Sequence, residues 1–217
     1  MKFIKHLGLI FFVIAFLQGC ASQPSAQKQN AAQRGDEPVT LAAAGGSILP
    51  AGPVMPNPYL QSKPSVNNAT AQAFAQATRA MRNKQWPQAE ATLTQITAQH
   101  KNFSGAWLNL GLVYRAQGEE KRAEAAFTQA ITANHLNVDA YNQLAILQRE
   151  QGRFNDAEAN YKKALTVWPF HAESYKNIGI LYDLYLGKNA EALAHFEAYR
   201  KLRGDGDKQL LGWIADL

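Results

Sequence analysis

The stretch Ala106-Trp107-Leu108-Asn109-Leu110-Gly111-Leu112-Val113-Tyr114-Arg115-Ala116-Gln117-Gly118 decides the fold, because its landmarks return at a fixed interval. Trp107, Tyr141 and Tyr175 stand 34 residues apart in turn. Leu110-Gly111 is matched by Leu144-Ala145 and Ile178-Gly179, Gly118 by Gly152, and Ala123 by Ala157. Phe127 is matched by Tyr161 and Ala130 by Ala164, and Pro169 closes the third unit. A period of this length is the mark of a stacked-repeat architecture, in which one unit cannot bury its own apolar face and neighbours must cover it.

The order of landmarks resembles the tetratricopeptide-repeat (TPR) family: an aromatic, Leu-Gly, a turn Gly, Ala, an aromatic, Ala and a closing Pro. The resemblance implies an all-α, right-handed solenoid of about four helix pairs over residues 68–203. Each unit would be two antiparallel helices, with Gly111, Ala145 and Gly179 where they approach closely and Trp107 and Phe127 filling space between units. Gly118 and Gly152 would end the first helices, where a left-handed residue suits glycine, and Pro169 would stop a second helix. The first and fourth units are degenerate. Ala73 replaces the opening aromatic in the first, with helices near 68–83 and 86–99. In the fourth, over about 172–186 and 189–202, Ala192 and Phe196 fall one residue late, which places one insertion in the turn. Residues 204–217 read as a C-terminal capping helix with Leu210, Ile214 and Leu217 on one face.

The other end of the chain reads differently. Lys2, Lys5 and His6 precede an apolar run from Leu7 to Leu17, too short for a bilayer span, which needs about 20 residues, and matching a secretory signal peptide over residues 1–19. Leu17-Gln18-Gly19-Cys20 resembles the lipobox of bacterial lipoproteins, which implies a lipidated Cys20 and a stable anchor, since several acyl chains hold where one is marginal. Ala21 and Ser22, rather than Asp, follow the cysteine, which resembles outer-membrane sorting. Cys20 is the only cysteine of the 217 residues, so no intramolecular disulfide forms. Residues 20–67, rich in Ala, Gln and Pro and without apolar periodicity, read as a flexible linker. Within it Ile48–Leu60 is apolar and proline-stiffened. Two readings stay open for it: a less polar piece of linker, or a docking segment for a groove, its own or a partner's.

In the TPR family the first helices of successive units line a concave face. The groove positions map to Phe74, Thr78 and Met81; to Leu108, Asn109, Leu112 and Arg115; to Asp139, Asn142, Gln143, Ile146 and Arg149; and to Glu173, Lys176, Asn177, Ile180 and Asp183. Amides there, such as Asn109, Asn142 and Asn177, pair with a peptide backbone, and an apolar floor suits an extended segment or an amphipathic helix. Chaperone-binding TPRs carry a clamp of Lys, Asn and Arg for carboxylate tails; only Asn109 fits it. The formal net charge is +5, or +3 without Lys2 and Lys5, with both signs mixed. That argues against a nucleic-acid partner. The histidines have no metal-ligand spacing and no phosphate loop or nucleophile elbow is present. The expectation is therefore no enzyme, no cofactor and no small-molecule substrate. It is an envelope scaffold or adaptor facing the periplasm, anchored in the outer membrane by its lipid and similar in layout to pilotins and assembly factors of pili and secretion systems. The alternatives are a regulator of a peptidoglycan synthase or hydrolase, and a self-assembling lipoprotein.

Overall fold

A computed structural model describes residues 47–62 and 64–217; the expected signal peptide, Cys20 and the linker up to residue 46 lie outside the described residues. A short helix, α1 (Pro58–Gln61), precedes four helical hairpins. They are α2 (Asn68–Arg82) with α3 (Trp86–Gln99), α4 (Ser104–Ala116) with α5 (Glu120–Ala133), α6 (Val138–Glu150) with α7 (Phe154–Val167), and α8 (Ala172–Leu184) with α9 (Asn189–Arg203). A final helix, α10 (Lys208–Asp216), lies against α9. From α2 onward successive helices pack on one another, and the first helices also meet in turn, α2 with α4, α4 with α6 and α6 with α8. That is the expected solenoid of four helix pairs and a cap.

Local chemistry sets the joints. Asn67, Asn137 and Asp207 cap α2, α6 and α10 by accepting from backbone N–H groups with their side-chain oxygens. Such caps satisfy donors the helix leaves open. The turn inside each of the first three hairpins is a Schellman closure: Gly118 N–H donates to the Arg115 carbonyl and Glu119 N–H to that of Tyr114, at 3.1 and 2.8 Å. Gly152 and Arg153 repeat it on Arg149 and Gln148. The first hairpin makes the same closure with Lys84 at φ 57°, where the others have glycine. In the fourth, Gly187 takes the left-handed position one residue late (φ 61°), which is the insertion read from the sequence.

The core falls into two clusters. The first joins α2 to α5 with Leu144 and Leu147 of α6, and the second joins α7 to α10 with Ala145 of α6. Phe127 and Phe196 are fully buried, each with its ring over a glycine of the preceding helix, Gly111 and Gly179. Leu210 of α10 is buried and Trp213 lies 5.8 Å from the Phe196 ring, so the last helix covers the end of the second cluster.

Residues 47–62, expected as the end of a flexible linker, pack on the solenoid instead. Ile48 and Leu49 lie against the second core cluster, Tyr59 is buried, and the Trp168 indole N–H donates to the Met55 carbonyl at 2.9 Å. Asn134 Nδ2 donates to the Ser62 carbonyl and hydroxyl at 3.3 and 2.9 Å. Of the two readings of Ile48–Leu60, the docked one holds, and its groove is in the same chain. Periodicity could not report this, because the stretch is mostly extended and its hydrogen-bond partners Asn134 and Trp168 are 72 and 113 residues away.

His195 in α9 donates Nδ1–H to the Glu191 carbonyl at 2.7 Å and lies between the rings of Tyr175 and Tyr182. Burial pushes its pKa below the ordinary value, and the Glu191 carbonyl and the Glu158 and Glu191 charges oppose this only in part. The unfolded chain therefore takes up a proton here before the folded one does, so stability is full above a pH of about 6.5 and is lost as pH falls below it. Glu90, Glu158 and Asp207 have lowered pKa values and act at lower pH, outside this window. Thermal unfolding between pH 7.5 and 5.5 is expected to show a falling midpoint in the wild type and a flatter course in His195→Phe. Equal slopes would assign the effect elsewhere.

Candidate partner-binding groove

The groove positions sit on α2, α4, α6 and α8, and the structure sorts them by what already occupies each side chain. Asn142 is buried, and its Oδ1 accepts from Ser174 Oγ at 3.3 Å and from Asn177 Nδ2 at 3.1 Å. The ladder continues from Ser174 to His171 Nδ1 (2.7 Å) and from His171 Nε2 to Asp139 (3.1 Å). These amides therefore bind α6 to α8, and the expectation that Asn142 and Asn177 wait for a peptide backbone is corrected. Their partner is the neighbouring repeat, because a buried amide must be satisfied from within.

Lys176 is also engaged: its Nζ lies 2.6 Å from Asp207, the N-cap of α10, near the Tyr199 and Trp213 rings. The ammonium holds the Asp207 carboxyl below the usual carboxylate range. Arg115 bonds Glu150 through Nη2 at 2.5 Å and reaches Gln143 at 3.4 Å. Phe74 stacks at 4.8 Å on Phe103, and Thr78 Oγ1 donates to the Ala75 carbonyl of its own helix. The Asn109 side chain makes no hydrogen bond among the described residues.

What remains is an apolar floor with one cation. Leu108, Leu112, Ile146 and Ile180 are each half-buried, resting on the core clusters with their other side open. At the end of α6, Arg149 Nε and Nη1 are buried without a hydrogen-bond partner, as is the hydroxyl of Tyr161. Burial raises the Tyr161 pKa, with the Arg149 charge opposing. Buried donors with no acceptor cost more than the bond they would make contributes, so Arg149 favours an acceptor from outside. Tyr185, its ring 6.0 Å from the guanidinium, and Leu184 are exposed beside it. Arg115 pairs with Glu150, 35 residues on in the next repeat, whereas the residue 35 after Arg149 is Leu184, which offers no acceptor.

Among the described residues no group of His, Cys, Asp and Glu is arranged to hold a metal ion, and no helix is long and apolar enough to cross a membrane.

Two family models, both described as tetratricopeptide repeat, match residues 74–136 and 136–204. Among solved structures, PilF of Pseudomonas aeruginosa is similar at 21% identity and TM-score 0.63, over 68% of this chain and 67% of that one. A thermophilic TPR protein of Thermus thermophilus is similar at 20% identity and TM-score 0.59, over 72% and 84%. MamA is similar at 23% identity and TM-score 0.56, over 66% and 82%. Likenesses at this identity bear on the fold alone. No curated protein matches the chain by sequence.

Proposed function

Since the chain belongs to the tetratricopeptide-repeat family, whose fold is a protein-interaction scaffold, we propose that it is a lipid-anchored adaptor of the bacterial envelope. Its concave face holds a segment of a partner protein. The observation that carries the reading is the open floor of Leu112, Ile146 and Ile180 ending at the unpartnered nitrogens of Arg149. That floor suits an extended or helical segment with apolar side chains and one acidic group at the Arg149 end. Cys20 would carry the acyl chains, and the outer membrane, facing the periplasm, would be its place. The partner belongs to a machine assembled there, such as a pilus or secretion complex.

The test is in-cell crosslinking and capture of the tagged full-length chain beside Ile146→Asp/Ile180→Asp. These two positions are better probes than Asn142 and Asn177, whose loss would loosen the solenoid itself. Loss of one envelope protein from the capture, with helix content unchanged, is the expected result; the same partners with both chains would exclude the groove. The anchor is read separately. Cys20→Ser is expected to move the protein from the membrane fraction to the soluble one, and a chain that stays with the membrane would remove the lipid from the proposal.

A further inference from the structure

Residues 48–62 are uncharged throughout and hold four prolines, Pro50, Pro53, Pro56 and Pro58. They run along one edge of the solenoid, where the loops between hairpins lead into α4, α6 and α8. The loop into α8 gives the Trp168 indole N–H to the Met55 carbonyl, and the loop into α6 gives the Asn134 amide to Ser62. Tyr59 inserts at the start of α4, where its hydroxyl bonds the Ser104 side chain and the Gly105 backbone. Ser104 Oγ donates to the Ala130 carbonyl at 2.7 Å and accepts from Asn137 Nδ2 at 2.7 Å. Its hydrogen is thus committed to the Ala130 carbonyl. Between the prolines and Trp168, Pro169 and Phe170 an apolar cavity of about 460 Å³ remains.

These contacts are those of a bound peptide rather than of a core element. The solenoid side supplies N–H donors aimed at main-chain carbonyls, an aromatic surface against prolines and one deep socket for an aromatic anchor. A proline-stiffened segment loses little entropy on seating in such a site. The outward side of the segment stays bare: Val54, Met55 and Leu60 are 63%, 58% and 59% exposed. Only residues 63–67 separate the segment from α2. So short a link holds it at an effective concentration on the order of millimolar.

We propose that this edge is a peptide-binding site for uncharged, proline-stiffened segments with an aromatic anchor, that residues 48–62 occupy it as a built-in ligand, and that its exchange partner is the same segment of a second copy of the chain. The second copy is the occupant because its segment is the one already seen to fit. Exchange replaces each contact by an identical one, so crowding of copies decides between closed monomer and exchanged dimer. The site is distinct from the groove floor, and Ile146→Asp/Ile180→Asp is expected to leave it intact.

The probe is a fluorescent peptide of residues 47–62, added to the full-length chain. The wild type, with its own segment seated, is expected to bind it about ten-fold or more weakly than Tyr59→Ala, in which the site is vacated. Leu49→Asp opens the segment from its other end and serves if Tyr59→Ala loses helix content. Adding Trp168→Ala to either, or changing the tyrosine of the peptide to alanine, is expected to abolish binding. Equal binding by closed and opened chains, or none by the opened ones, overturns the site. Sedimentation of concentrated wild type is expected to show a dimer that Tyr59→Ala lacks; a monomer at every concentration while the peptide binds would overturn the second copy as occupant.

Discussion

Phe127→Ala is expected to destabilise the chain by about 3–5 kcal/mol, the cost of removing a fully buried aromatic side chain and leaving a partly collapsed cavity. Phe127 is 0% exposed and its ring lies against Gly111, so it holds α4 to α5 from inside the second repeat. The larger consequence is where the damage goes. In a solenoid, stability is approximately a sum over repeats and their interfaces, and the two core clusters meet only at α6. The loss is therefore expected to be local. Hydrogen exchange should show reduced protection in α2 to α5 while α7 to α9 keep theirs, and thermal unfolding should broaden or split. A single cooperative transition with uniform loss in all nine long helices would mean the clusters behave as one core, and the nearest-neighbour account would be wrong here.

That division also marks what the sequence could report. The 34-residue step, the helix pairs, the turn glycines and the late fourth unit were legible, because each follows from residues within one repeat. The left-handed Lys84 was not, since only the neighbouring hairpins show that a residue in that conformation is needed there. The groove was legible as a set of positions but not as a set of free groups. Asn142 is taken by Ser174 and Asn177, and Lys176 by Asp207, across the interface to the next element. Such pairings depend on how two helices are rotated against each other, which spacing alone does not encode. The docked segment was the least legible. Its apolar prolines hinted at a binding role, but the donors and socket it uses lie at three separate inter-repeat joints.

Gly111→Ala is expected to destabilise by about 1–3 kcal/mol, as overpacking does, despite alanine's advantage of about 1 kcal/mol in a helix. An added methyl would come within 2.5 Å of the Phe127 ring, whose atoms are fully buried and have no space to retreat into. Gly179 stands in the same relation to Phe196. The third repeat carries Ala145 at the matching place with Tyr161 as its aromatic, so the architecture accepts a methyl there when the ring and helix are set for it. The cost at 111 is therefore a mismatch between two residues rather than a property of the position. A double-mutant cycle tests this: Gly111→Ala with Phe127→Leu should cost less than the two changes summed, because the smaller side chain yields the space the methyl needs. Gly212→Ala in α10 is the control, since no atom lies within 4 Å of the added carbon; there the helix preference acts alone and the change should be neutral or mildly stabilising. If Gly111→Ala proved as harmless as Gly212→Ala, α4 and α5 would have to slide apart freely, and the close approach would not be what fixes the spacing of the repeats.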